Sequence, residues 1–151
     1  MSEKSDFREV LNRDGRLVYN TVGVSMRPLL RARRDIVVIE KKTAERCKKL
    51  DAVLFLRKNG QYVLHRILKV YDGEYWIVGD NCVSGENVTE EQILGVMTSF
   101  KRGKHTVKVT DWRYRLYVYI WCKPYHIRFA LLRVKNFIFR ILRFIKRKVF
   151  G

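Results

Sequence analysis

Apolar residues fall in short bursts through the first 110 positions and then in one long helical stripe beyond position 125. Near the start, Phe7, Val10 and Leu11 stand at helical spacing and the pattern stops at Asp14-Gly15, which predicts one short helix running into a turn. From Arg16 the bursts have strand character: RLVYNTV, DIVVIE, DAVLFLR, QYVLHRILKV, EYWIVGD, ILGVMTSF and HTVKV are β-branched or aromatic, with turn residues between them. Asn59-Gly60 and Asp72-Gly73 each sit between two of these runs and predict type I′ hairpin turns, so three consecutive strands should form a meander. The expected fold class is mainly β: an antiparallel β region over residues 16–110 which, with the short N-terminal helix, makes one domain of residues 1–110.

A composition break near Asp111 separates this domain from residues 111–151. The segment WRYRLYVYIWCKPYHIRF is aromatic and basic, and IRFALLRVKNFIFRILRFIKRKVF continues without Gly or Pro for about six helical turns. On a 100° wheel Arg133, Asn136, Arg140, Arg143 and Arg147 gather in one sector. Phe137, Ile138, Ile141, Leu142, Ile145 and Val149 lie roughly opposite. The basic residues forbid a spanning helix, and the pattern is that of a helix lying in a membrane interface with its cations at phosphate level. A helix packed along its own β domain is the competing reading.

Charge strengthens the first reading. The chain of 151 residues carries 32 Lys+Arg against 15 Asp+Glu, a formal net charge of +17, and Asp111 is the one acid after position 110. Such a protein should seek an anionic surface. Membrane ranks above nucleic acid, because the cations lie on an amphipathic helix rich in large apolar residues and no recognition module accompanies them. The first 24 residues hold Asp6, Arg8, Glu9, Arg13, Asp14 and Arg16 with no long apolar run, so neither a signal peptide nor an N-terminal anchor is expected. The expected location is peripheral, on the cytoplasmic face of a membrane. Cys47, Cys82 and Cys122 are too widely spaced for a zinc site and odd in number for a disulfide framework. They are read as reduced thiols, and no metal or cofactor is called for.

One strand carries an unusual residue. In YVLHRIL, a period of two sets His65 on the same face as Val63 and Ile67, with Arg66 on the other face pairing with an acid or with solvent. Alone, His65 reads as a core or cleft residue. In GVSMRPLL, Ser25 sits between Gly23 and Pro28 just before the next strand, and a serine needs a positioned base such as a histidine on a rigid strand. A third segment, VGDNCVSGENV, supplies Asp80 and Glu86 in a loop after a strand. Either carboxylate could fix the tautomer of the histidine. Tyr62 and Trp76 are read as core, and His105 and His126 as surface residues.

These segments, in this order, resemble the superfamily of the signal peptidase I and LexA-like serine proteases. The likeness rests on Gly23-x-Ser25-Met26-x-Pro28, Arg34-Asp35-Ile36-Val37, LDAVLF, VLHRIL, Gly79-Asp80-Asn81 and ILGVM, and spans about residues 20–100. Histidine in the base position is similar to the archaeal and endoplasmic-reticulum signal peptidases. The resemblance implies a LexA/signal-peptidase-like β domain and a serine-type endopeptidase with Ser25 as nucleophile and His65 as general base. Asp80 or Glu86 would orient His65. It also implies that the Ser25 N–H is an oxyanion donor, while Met26 and Pro28 shape the turn and the cleft wall. Glutamate at 86 stands where the eukaryotic pattern has aspartate, and Arg34 and Leu50 replace glycines that usually precede the two aspartates, which predicts altered turns.

The expected substrate is a peptide or protein precursor, cut next to a membrane to which the tail residues Arg133, Arg140, Arg143 and Arg147 bind. A chain that keeps this fold and its membrane tail but has lost catalysis is the alternative.

Overall fold

The structure is a computed structural model and describes residues 6–150, with the side chains of 149 and 150 left aside. Helix α1 spans Phe7–Asp14, capped by the Asp6 carboxylate on the Arg8 N–H (3.0 Å) and closed by Gly15 in the left-handed conformation. Eight strands follow: β1 (Arg16–Asn20), β2 (Asp35–Lys41), β3 (Ala52–Leu56), β4 (Tyr62–Val70), β5 (Glu74–Val78), β6 (Glu86–Thr89), β7 (Ile93–Arg102) and β8 (His105–Lys108). They make one antiparallel sheet in the order β1-β2-β7-β3-β4-β5-β6, with β8 added on β7. The long β7 holds it together, since β2 pairs along one edge while β3 and β8 share the other.

The bursts of apolar residues are strands buried on both faces. In β3, Leu54 joins a core that includes Leu11, Leu17, Val37, Ile39, Met97 and Phe100, whereas Val53 and Phe55 join a second one with Ile67, Tyr75, Ile77 and Val88. Strand β4 lies between β3 and β5 in the expected meander, with His65 opposite Val53 and Arg66 opposite Ala52 and Val78.

Three local expectations need correction. Gly60 and Gly73 have φ of +82° and +77°, but Asn59 and Asp72 do not share their sign, so neither turn is the type I′ form, which needs both central residues at positive φ. The β3–β4 connection instead closes with Arg57 N–H on Gln61 O (3.0 Å) and Gly60 N–H on Arg57 O (2.9 Å). Glu86 is not in a loop; it starts β6, opposite Ile77. Leu50, at φ +77°, and Arg33, at +61°, are the non-glycine residues at positive φ among the described residues, and Arg34 is not one of them.

From Asp111 to Leu132 the chain stays on the β body. Helix α2 (Trp112–Tyr117) runs into a π-helical turn over Val118–Cys122, marked by Lys123 N–H on Val118 O (2.8 Å), and α3 spans Tyr125–Phe150. Tyr114, Cys122, Arg128, Phe129 and Leu132 are buried, and Phe129 packs with Leu68 and Val78. After Leu132 every described residue of α3 is exposed, so the helix does not lie along the sheet. No helix among the described residues is long and apolar enough to cross a membrane.

Candidate active site

The turn between β1 and β2 carries Ser25. Gly23, at φ +92°, swings the chain into it, a conformation open to glycine. Met26 O accepts from Leu30 N–H (3.0 Å) and Val24 O from Arg27 N–H (3.2 Å). The turn is pinned at both ends. On one side the buried Asp35 accepts from Arg31 N–H (2.9 Å) and from Arg102 (3.0 Å to Oδ1), which itself donates to Leu29 O (2.7 Å). On the other, Asn81 donates its N–H to Ser25 O (2.7 Å) and its side-chain amide to Val24 O (3.2 Å).

His65 comes to the same place from β4. It is 8% exposed, packs its ring against Phe55 at 6.1 Å between centroids, and lines a cleft of about 580 Å³ together with Ser25, Met26, Asn81 and Cys82. Gly79 gives the clearest measure of how His65 and the serine turn meet. A Cβ added there would stand 2.8 Å from Ser25 O and 3.0 Å from His65 Nε2, so only a residue without a side chain lets the imidazole approach the turn. Nε2 thus faces the turn, and Nδ1 faces the other way. Among the described residues neither the Ser25 hydroxyl nor its N–H has a hydrogen-bond partner.

Nδ1 looks toward Glu86, whose Oε1 is 3.9 Å away. That carboxylate is held by Arg57, with Nε at 2.8 Å from one oxygen and an Nη at 2.5 Å from the other. Burial holds the His65 imidazole below its ordinary pKa; the Glu86 charge acts against this and Arg57 with it. The histidine is therefore neutral over most of the physiological range, as a general base has to be.

Asp80, the other candidate acid, is used elsewhere. It is fully buried and grips the equally buried Arg66 through two 2.8 Å hydrogen bonds, while Tyr117 OH donates to it at 2.9 Å and Trp121 Nε1 to its carbonyl at 3.1 Å. Arg66 also donates to Leu50 O and Tyr114 OH (2.8 and 3.1 Å). The acid raises the Arg66 pKa against the opposing effect of burial. Asp80 thus joins β4 and the end of β5 to the C-terminal segment, and it forms no ion pair with His65.

Three features of the cleft went unread in the sequence. Arg57 carries no signal of its own in the sequence, and only the fold reveals its grip on Glu86. Phe7, Tyr19 and Tyr62 form an aromatic wall with ring centroids 4.8 and 5.0 Å apart, so Tyr62, packed against the core as expected, also lines the cleft. Cys82 is half-buried within the cleft, its thiol pushed up by burial, and its Sγ would lie 2.8 Å from the same added Cβ at Gly79. Cys47 and Cys122 are buried free thiols, and His105 and His126 are exposed. No protein-family model matches the chain, and no curated protein matches it.

Proposed function

We propose that the protein is a serine endopeptidase of the signal-peptidase type that cleaves a peptide or protein precursor at a membrane surface. The observation that carries the reading is the approach of His65 Nε2 to the Ser25 turn across Gly79, with Glu86 behind Nδ1. In this reading Ser25 Oγ gives its proton to His65 Nε2 and attacks the scissile carbonyl. The oxyanion accepts from the unoccupied Ser25 N–H. His65 then passes the proton to the leaving amine, and water releases the acyl group by the same route. Glu86 stabilises the transient imidazolium, and Arg57 sets where Glu86 can go. The serine–imidazole hydrogen bond belongs to the substrate-bound state, since such contacts are commonly long in empty sites. The β sheet and the pinned turn are in keeping with a LexA/signal-peptidase-like domain.

The tail supports the place of action. Ile127, Leu131, Val134, Ile138, Ile141 and Ile145 run down one side of α3, from 42% to 64% exposed, over roughly 27 Å at 1.5 Å per residue. Arg128, Phe129 and Leu132, which dock on the body, lie on the other side with Arg133, Arg140, Arg143 and Arg147. A helix seated in an anionic interface by its stripe would carry the β body above the surface, on the cytoplasmic face in our reading.

The test is labelling of the purified protein with a small serine-acylating probe. Labelling of wild type that is lost in both Ser25→Ala and His65→Ala is the expected result. A folded wild type that several such probes fail to label would leave the second reading, an inactive membrane-associated scaffold.

A further inference from the structure

A second cavity, of about 450 Å³, opens on the side of the molecule formed by β3, β7 and the C-terminal segment. It is lined by Leu50, Ala52, Val96, Met97, Val109 and Val118. Its size falls within the usual range for small-molecule sites, about 300–1,000 Å³. The lining also includes three exposed cations, Lys49, Arg115 and Lys123, the last with its ammonium 4.8 Å from the Tyr119 ring centroid. Asp51 is the one acid in the lining, and its carboxylate already accepts from Lys48 N–H at 2.8 Å.

Two irregular pieces of backbone border this cavity and nothing in the proposed peptidase chemistry uses them. Leu50 sits at φ +77°, a conformation that residues with a side chain rarely adopt. The turn that brings Val118 to the wall is π-helical, a form that is frequent at functional sites. In the helical segment that supplies Arg115, Val118 and Tyr119 to the lining, Trp112, Leu116, Tyr119 and Ile120 are exposed, large side chains of the kind suited to the water–lipid boundary.

We infer that this cavity binds a single-chain anionic amphiphile, a fatty-acid carboxylate, with the alkyl chain between β3, β7 and Val118 and the carboxylate among Lys49, Arg115 and Lys123. An apolar interior requires an apolar chain. The cationic rim selects the charge of its head group, and a cationic or neutral detergent of equal chain length lacks that complement.

The experiment uses the full chain and sodium dodecanoate below its micelle concentration, read by calorimetry and by the methyl resonances of Met97, in this cavity, and Met26, in the active-site cleft. The expected result is one saturable site that shifts Met97 and leaves Met26 in place. Dodecyltrimethylammonium should not compete. Removing the rim charges in the triple variant Lys49→Gln/Arg115→Gln/Lys123→Gln should weaken binding by about tenfold, given a few tenths of a kcal/mol per exposed pair. Val118→Trp should block it. Because that variant can fail to fold, the Met97 shift in wild type stands as the deciding measurement. Ile138→Asp/Ile141→Asp on α3 should bind as wild type. Binding lost in the α3 variant but kept in Val118→Trp would show adsorption on the tail and overturn the assignment, as would a Met26 shift without one at Met97, or no saturable binding. These outcomes leave the Ser25 labelling test untouched.

Discussion

At the residue scale the candidate site depends on a histidine kept neutral. Burial lowers the His65 pKa, so the acid limb of a kcat/KM profile for peptide cleavage should lie below the ordinary histidine value near 6.5. Glu86 raises that pKa and Arg57 lowers it, so Glu86→Gln should move the limb to lower pH and Arg57→Gln to higher pH. Glu86→Gln should also reduce kcat/KM by about a hundredfold, the lower end of what general acid–base support contributes. Limbs that move together, or not at all, would remove Glu86 and Arg57 from the mechanism. The same group affects stability with a defined sign. Its folded pKa lies below its unfolded one, so the unfolded chain takes up the proton first. Stability should fall as pH drops from about 6.5 toward the folded pKa, and this contribution levels off below it.

At the scale of elements the two acids part company. Asp80 ties β4 and β5 to the segment after β8, and its removal leaves the Arg66 guanidinium, and Arg128 3.6 Å away, buried without a counter-charge. Asp80→Asn should therefore cost about 3–5 kcal/mol in a urea unfolding experiment. Glu86→Gln, at a half-exposed edge strand, loses its ion pair with Arg57 and should cost no more than about 1 kcal/mol. Equal destabilisation by the two would contradict this division. Much of this arrangement was legible beforehand. The apolar bursts located seven of the eight strands, because each is long enough to alternate or to be buried on both faces. Strand β6 escaped because Glu86-Asn87-Val88-Thr89 offers a single core residue, Val88, and owes its pairing to β5. The choice between Asp80 and Glu86 could not be read from spacing, since it turns on which arginine reaches which carboxylate across the sheet. The turn types were missed for a related reason. An Asn-Gly or Asp-Gly pair tells where the chain reverses, but the strand register and the bulges fix how many residues the reversal takes.

For the whole molecule, the length of α3 that belongs to the body sets where the chain can be cut. Removing residues 137–151 should keep the fold and the serine labelling, yet abolish flotation on anionic liposomes, an association that should also weaken with added salt. Removal from Tyr125 onward also takes Phe129 and Leu132 from the core and should lower stability by about 3 kcal/mol or more. Continued flotation of the shorter truncation would locate membrane affinity elsewhere. One contact lies between these two cuts. Lys135 Nζ donates to Asn81 Oδ1 at 2.9 Å, and the same Asn81 holds Val24 and Ser25 through its two nitrogens. In mechanical terms α3 is a lever whose long arm is the exposed stripe and whose short arm ends at Asn81, one residue from the Ser25 backbone. Lys135→Ala would remove that end of the lever and leave the two Asn81 hydrogen bonds to the serine turn in place.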